Sequence, residues 1–221
     1  MVAVAIDGPA GAGKSSVARA AAKKLGYIYV DTGALYRAVG LKFLKSGADT
    51  ALDCDISAVL KNTVVEIKFI NGEQRVLLDG CDVSDEIRTP EASKMASAVS
   101  AKPEVRAFLL EMQRKAAADS NVIMDGRDIG TVVLPDADVK IYLTASPEVR
   151  AERRFKELTE KGTSVSYEDV LADIISRDSA DMNRKIAPLK KAEDAVLADT
   201  SDCGFDESVG LIVKIRRERV G

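Results

Sequence analysis

The chain has 221 residues, 46% of them hydrophobic and 30% charged, with a formal net charge of −3 and neither histidine nor tryptophan. That length supports one to two domains with a real core, and the small negative charge argues against a general nucleic-acid or membrane-surface binder. The missing histidine excludes Ser-His-Asp chemistry and speaks against a catalytic zinc site; no apolar run approaches the roughly 20 residues of a membrane helix, and the scattered Cys54, Cys81 and Cys203 are expected as reduced thiols in a cytoplasmic setting.

Val2-Ala3-Val4-Ala5-Ile6-Asp7 is short, apolar and rich in β-branched residues, and reads as a buried strand rather than a secretory leader. The next eight residues, Gly8-Pro9-Ala10-Gly11-Ala12-Gly13-Lys14-Ser15, fit G-x-x-x-x-G-K-[ST], the phosphate-binding loop. Ser16 to Leu25 is rich in helix formers and Gly26 stops it. A strand before and a helix after are the context that gives this motif its meaning. Glycines let the backbone curl so that N–H groups converge on an anion, and the helix dipole adds to the field. Lys14 then offers a mobile charge to the outer phosphates, and Ser15 offers a hydroxyl to Mg²⁺, largely through water. Gly8 to Ser15 is therefore expected to cradle phosphates, and alone it says only nucleotide triphosphatase or kinase.

Tyr27 to Val30 is a second short strand, ending in Asp31-Thr32-Gly33, a helix cap signal, before a helix from Ala34 to Lys45. A strand end that opens a helix again aims N–H groups at an anion, and Arg37 lies about a turn inside. A second phosphate site facing the first is one reading; an ordinary capped helix with a surface arginine is the other. Ala51 to Leu60 reads as a helix. Thr63 to Ile70 and Gln74 to Gly80 flank Asn71-Gly72, a strong hairpin turn. This hairpin is expected to form a small satellite sheet, because strand–helix alternation resumes afterwards, and Cys81 to Ser84 adds a short strand or a turn. Helices are expected at about 91–100 and 103–118, the second with Pro103 in its first turn.

Asn121 to Asp125 is a core strand that ends in Gly126-Arg127-Asp128-Ile129-Gly130, a guanidinium and a carboxylate at the edge of a parallel sheet where ligands sit. Asp138 to Thr144 is the next strand. Ser146-Pro147 caps a helix to about Lys161 that carries Arg150, Arg153 and Arg154, which spacings of three and four place on one side. A further helix, from about Ser166 to Arg184, carries Arg177, Asp178, Asp181 and Arg184. Such charge-rich helices commonly mark a solvated face. Following a phosphate loop, they also fit a mobile cover that closes on triphosphate. Ala195 to Asp199 is the last strand and Asp206 to Arg219 the last helix. The expected fold is α/β: five parallel strands with helices on both faces, built from right-handed crossovers, with a small antiparallel sheet and a short helical lid.

Taken together, Gly8–Ser15, Asp31-Thr32-Gly33-Ala34-Leu35-Tyr36-Arg37 and Asp125-Gly126-Arg127-Asp128-Ile129-Gly130 resemble the bacterial cytidylate kinases, of the P-loop nucleoside monophosphate kinase family. Val83-Ser84-Asp85-Glu86-Ile87-Arg88-Thr89, Pro135-Asp136-Ala137, Arg177-Asp178, Asn183-Arg184 and Ala187-Pro188-Leu189 extend the likeness over essentially the whole chain. Thr32 stands where a serine is common in that family, which keeps the hydroxyl. The resemblance implies a core of 1–30, 119–149 and 186–221, a monophosphate-binding domain of 31–118 with its hairpin at about 63–84, and a lid of 150–185. It also implies roles, the first being that Gly8 to Ser16 holds the ATP phosphates. Thr32, Arg37 and Arg127 clamp the CMP phosphate; Ser97, Arg106 and Asp128 read cytosine with Arg184 nearby; Arg177 and Asp181 hold the sugar. Lys14, Arg127 and the lid arginines Arg150, Arg153 and Arg154 act on the transferred phosphoryl group. The implied reaction is ATP + CMP (or dCMP) → ADP + CDP (or dCDP) with Mg²⁺, in a cytoplasmic monomer without nucleic-acid or membrane partners. A shikimate- or adenylate-type kinase is disfavoured by the hairpin insert and by the Arg/Asp set beyond residue 170. A switch GTPase would need Asn-Lys-x-Asp, which the chain lacks.

Overall fold

In the computed structural model, which describes residues 1–47 and 55–221, the first apolar run forms strand β1 (Ala3–Asp7), buried from Val4 onward. Helix α1 (Lys14–Leu25) follows and ends on Gly26 in the left-handed region. Strand β2 (Ile28–Asp31) leads into α2 (Thr32–Ser46), where the Asp31 side chain accepts the N–H of Ala34 as an N-cap. The helix expected from Ala51 is the shorter α3 (Ile56–Lys61), capped by Asp55; residues 51–54 lie outside the described residues. The hairpin is β3 (Val65–Ile70) and β4 (Glu73–Leu78), and Cys81–Asp82 forms a third strand, β5. Asn71 and Gly72 take φ of 54° and 78°, the paired left-handed turn that matches strand twist.

Helices α4 (Pro90–Ser100) and α5 (Pro103–Ala118) both start on proline, whose fixed φ and missing N–H suit that position. Then come β6 (Val122–Gly126), a π-helical turn at Ile129–Val133, β7 (Val139–Thr144), α6 (Pro147–Glu160), α7 (Tyr167–Asn183), β8 (Val196–Asp199) and α8 (Phe205–Val220). Ser146 and Ser166 cap α6 and α7 by accepting the N–H of Val149 and Asp169.

Five parallel strands in the order β2-β6-β1-β7-β8, flanked by helices, form the main sheet, and β3-β4-β5 form the small antiparallel sheet. The chain divides into two units, one of residues 28–120 with Met1, the other of 2–27 with 121–221. In the first, α2 supplies Leu35, Val39 and Phe43 to a core completed by Val76 and Leu78 of β4, Val99 of α4 and Leu109 of α5. In the second, β1 lies between β6 and β7, with Asp7 level with Gly126 on one side and Tyr142 on the other. That register brings the loops after β1, β6 and β7 out at the same edge. This is why the phosphate loop and the Gly-Arg-Asp segment become neighbours although more than a hundred residues separate them.

Candidate active site

The phosphate loop begins with a position only glycine can fill. Gly8 has φ of 153°, and a Cβ there would stand 1.9 Å from the carbonyl oxygen of Leu143. Pro9, Ala10 and Ala12 are buried, whereas Gly11, Gly13, Ser15 and Ser16 are exposed. Gly13 is the N-cap of α1 and no side chain caps the helix. The N–H groups of the first turn thus face outward as an anion site, with the positive end of the dipole behind them. Lys14 is buried, and its Nζ donates to the carbonyl of Pro9 at 2.6 Å. Burial, followed by the nearby Arg127 charge, pushes its pKa down to about 7, against the pull of Asp125, Asp7 and Asp181. Ser15 Oγ donates to Asp125 Oδ2, at the end of β6, at 2.9 Å. A hydroxyl beside a carboxylate is the hard-oxygen donor pair that suits Mg²⁺, an ion that keeps most of its ligands as water and substrate oxygen.

The Gly-Arg-Asp segment is held from both sides. Asp7, the last residue of β1, accepts the N–H of Ile129 at 2.7 Å and of Gly130 at 2.8 Å. Burial drives its pKa up to about 6, despite those two bonds. From the other side, Arg127 Nε donates to Asp181 Oδ2 at 2.7 Å, and Arg184 Nη2 to the buried Asp128 at 3.2 Å. Arg184 is oriented by a bond from Nε to the carbonyl of Ala187 at 2.6 Å. Four of the expected acceptor residues, Arg127, Asp128, Asp181 and Arg184, thus form one ion-paired group. Arg177 does not join it. It faces Asp173 at 3.8 Å on the exposed side of α7, and Asp178, one residue on, turns inward instead.

The three arginines of α6, expected on one side, part company. Arg150 is 3% exposed and donates to the carbonyls of Ala145 and Ala10, both at 2.8 Å. Arg153 donates to the carbonyls of Thr200 and Cys203, at 2.6 and 3.1 Å, in the loop after β8. Arg154 pairs with Glu157 at 2.8 Å on the surface. The spacing of three and four sets a helix sector of about 100° or more, wide enough for its two edges and middle to meet three different surroundings.

In the other unit, Thr32 is the buried first residue of α2, and Arg37 Nη2 pairs with Asp31 at 2.8 Å. Asp31 thus caps the helix and holds the arginine with the same carboxylate. Gln74 of β4 fastens the backbone of that residue, accepting its N–H at 2.7 Å and donating to its carbonyl at 3.2 Å. Arg106 lies over the Tyr36 ring at 5.7 Å and donates to the carbonyl of Ser100 at 3.3 Å. Ser97 is exposed on α4.

Asp7 bears two of these bonds, and Asp178 accepts the N–H of Ala10 and pairs with Arg150, yet the sequence pattern assigns neither a role. The position of Asp7, last in its strand and directly before the phosphate loop, was the available signal; for Asp178 the one hint was its place beside Arg177. Among the described residues no group of three or more His, Cys, Asp or Glu is arranged to hold a metal, and no helix is long and apolar enough to cross a membrane.

Known proteins resemble this chain in fold and in sequence. A solved structure of an uncharacterized protein from Eubacterium ventriosum superposes with a TM-score of 0.55 at 12% identity, covering 99% of this chain and all of that one, a likeness of fold. Curated relatives are much nearer in sequence. A cytidylate kinase of Carboxydothermus hydrogenoformans is 52% identical over 214 residues, 96% of each chain. One of Caldicellulosiruptor saccharolyticus is 50% identical over 218 residues, 99% of this chain and 96% of the relative. The family model described as cytidylate kinase matches residues 4–218. By its phosphate loop, its ion-paired strand ends and this match over nearly its full length, the chain belongs to the cytidylate kinase family.

Proposed function

We propose that the chain transfers the γ-phosphoryl group of ATP to CMP and dCMP. The observation that carries this reading is the pairing of the Gly-Arg-Asp segment with α7 at the same sheet edge as the phosphate loop. There, Asp181 holds Arg127 in the neighbourhood of Lys14, and Arg184 donates to the buried Asp128. The resemblance and the relatives' names support the same substrate pair.

A CMP phosphate oxygen is already a nucleophile at neutral pH, so the chain needs no histidine base; transfer asks it mainly for position and charge. The N–H groups at the start of α1 hold the donor phosphates. Lys14, whose Nζ leaves the Pro9 carbonyl for phosphate oxygen, is held in its charged form there because the anion offsets its burial. Arg127, with Thr32 and Arg37, receives the acceptor phosphate, and Asp181 the sugar, joined by Arg177 once that side chain leaves Asp173 on the exposed side of α7. Asp128 accepts the exocyclic amine of cytosine, while Arg106 and Ser97 donate to its ring nitrogen and carbonyl. Uracil would set a carbonyl against Asp128 and leave two acceptors facing each other. Ser15, with Asp125 beside it, would hold Mg²⁺, which would supply further neutralisation of the phosphate charge.

Residues 150–185 serve as the lid that excludes water, residues 31–118 as the monophosphate-binding domain, and the rest as the core. Arg153 and Arg154 are the lid arginines whose present partners, two carbonyls and a surface glutamate, are the easier to exchange for phosphate; Arg150 is deeply engaged. A cytoplasmic monomer is the state the resemblance implies. The test is a coupled ADP-release assay with ATP against CMP, dCMP, UMP, AMP and shikimate. Turnover is expected with CMP and dCMP far above the others; turnover led by shikimate or AMP would overturn the reading.

A further inference from the structure

Helix α7 makes buried polar contacts at two levels. At the first, Asp178 Oδ1 accepts the backbone N–H of Ala10 in the phosphate loop at 3.2 Å, and its Oδ2 pairs with Arg150 Nη1 at 2.6 Å. Arg150 donates from Nη1 to the carbonyl of that same Ala10 and from Nε to Ala145, both at 2.8 Å. The pair thereby serves both polar groups of one loop residue. At the second level, Asp181, one turn along, holds Arg127 at 2.7 Å, and Arg184, the residue that caps the C-terminus of α7, reaches Asp128 at 3.2 Å. A turn before the first level, Ile174 closes the surface of the loop: a Cβ on Gly11 would stand 3.4 Å from its Cδ1 and 3.5 Å from Arg150 Cβ. All of these residues lie in the unit of 2–27 and 121–221.

A buried ion pair is weak evidence for stability, because desolvation offsets much of the attraction. What this pair does do is fix the loop backbone to a helix, and a helix moves as one body over the 1.5 Å per residue that separate the two levels. A shift of Ala10 is thereby passed along α7 to Asp181, and to Arg184 at the C-terminal cap of the helix. We propose that Arg150 and Asp178 are positioning residues that couple the phosphate loop to Arg127 and Asp128 through α7, so that triphosphate bound in the loop changes the affinity for the nucleoside monophosphate. Arg150 is taken up by Asp178 and by the carbonyls of Ala10 and Ala145, which gives it this positioning role in place of the contact with the transferred phosphoryl group that the resemblance implies. The coupling is reciprocal, each ligand altering the other's affinity by the same factor. It rests on the reading above that Arg127 and Asp128 receive CMP.

The experiment is calorimetric titration of the intact chain with CMP, alone and in saturating non-hydrolysable ATP analogue. In the wild type the two affinities should differ at least about fivefold, the lower end of ordinary coupling. In Asp178→Asn, and in the double variant Arg150→Met with Asp178→Asn, the ratio should fall to within about twofold of one, while affinity for CMP alone changes little. The double variant removes both charges at once and so buries no lone charge, which keeps the test open if the single variant does not fold. Arg150→Lys, which keeps the charge but not the fork, should restore part of the ratio. A merely structural pair would lower the melting temperature and leave the ratio alone. A wild-type ratio preserved in the folded double variant, or a ratio of one in the wild type, overturns the proposal. A wild type that does not bind CMP overturns the substrate assignment with it, whereas an active CMP kinase with an unmoved ratio refutes the coupling alone.

Discussion

Between Ile28 and Ser120 the interior is built from Leu35, Val39, Phe43, Val99 and Leu109, and charge is kept at the surface in pairs such as Lys42–Asp79 at 2.6 Å, Lys45–Glu86 at 2.9 Å and Arg75–Asp82 at 2.7 Å. Among the described residues its one buried charged side chain is Arg106. The unit containing β1 and β6 does the reverse: Asp7, Lys14, Asp125, Asp128, Arg150 and Asp178 are all under a tenth exposed. Surface pairs stabilise by about 0–1 kcal/mol each, whereas a buried ion costs several kcal/mol before its partners offset it. Charge collects inside one unit because phosphate chemistry needs strong, dry fields there. The other unit can devote its interior to packing.

If that contrast holds, substitutions should separate function from stability by unit. Lys14→Ala should lower kcat by at least about a hundredfold, the scale of one lost electrostatic group, yet leave the melting temperature unchanged or raised; near-normal turnover would remove Lys14 from the mechanism. Leu109→Ala, in the apolar core of the other unit, should cost about 2–5 kcal/mol in denaturant unfolding, and a smaller loss would mean that core can collapse around the gap. Asp128→Asn should shrink the preference for CMP over UMP by about tenfold or more, about 1.4 kcal/mol, read as the ratio of kcat/KM values; an unchanged ratio would take Asp128 out of base reading.

The pH dependence sharpens the contrast further. Asp7 holds its proton to about pH 6 in the folded chain, against an ordinary 3.8, so between those values the native state binds more protons than the unfolded one and stability falls as pH rises. Lys14 loses its proton near 7 instead of 10.5, so between those values the unfolded state binds more and stability rises again with pH. Denaturant unfolding of the ligand-free protein should therefore show a shallow minimum between about pH 6 and 7, and Lys14→Met should abolish the upper slope; a slope kept in that variant would assign it to other groups. The smallest effect belongs to the surface. Lys45→Ala should change stability by less than about 1 kcal/mol and weaken it less still at high salt, and a larger loss would break the comparison.

Most of the fold is legible in local sequence. The phosphate loop between an apolar strand and a helix, Asn71-Gly72 between two alternating runs, and Ser146-Pro147 before a helix each state their own geometry, and the structure places elements within a few residues of those signals. The acceptor residues Arg127, Asp128, Asp181 and Arg184 could be listed from the chain, but their mutual pairing could not, since 54 and 56 positions separate the partners. Arg150 and Asp178 illustrate the harder limit. Their partners at Ala10 are main-chain groups 140 and 168 residues away, and a backbone N–H or carbonyl leaves no mark in the sequence. Nor does helical spacing alone decide whether Arg177 or Asp178 turns inward; each residue advances the helix by about 100°, and what lies opposite settles it.

Gln74 has a practical consequence. Because its amide grips both backbone groups of Asp31, β4 splints the start of α2 at the residue that steers Arg37. Two residues earlier the hairpin tip is open, and a Cβ at Gly72 would meet nothing within 4 Å. The tip is thus a natural handle: a dye or purification peptide grafted there hangs in solvent, while one inserted two positions further along would pry at the arginine's seat.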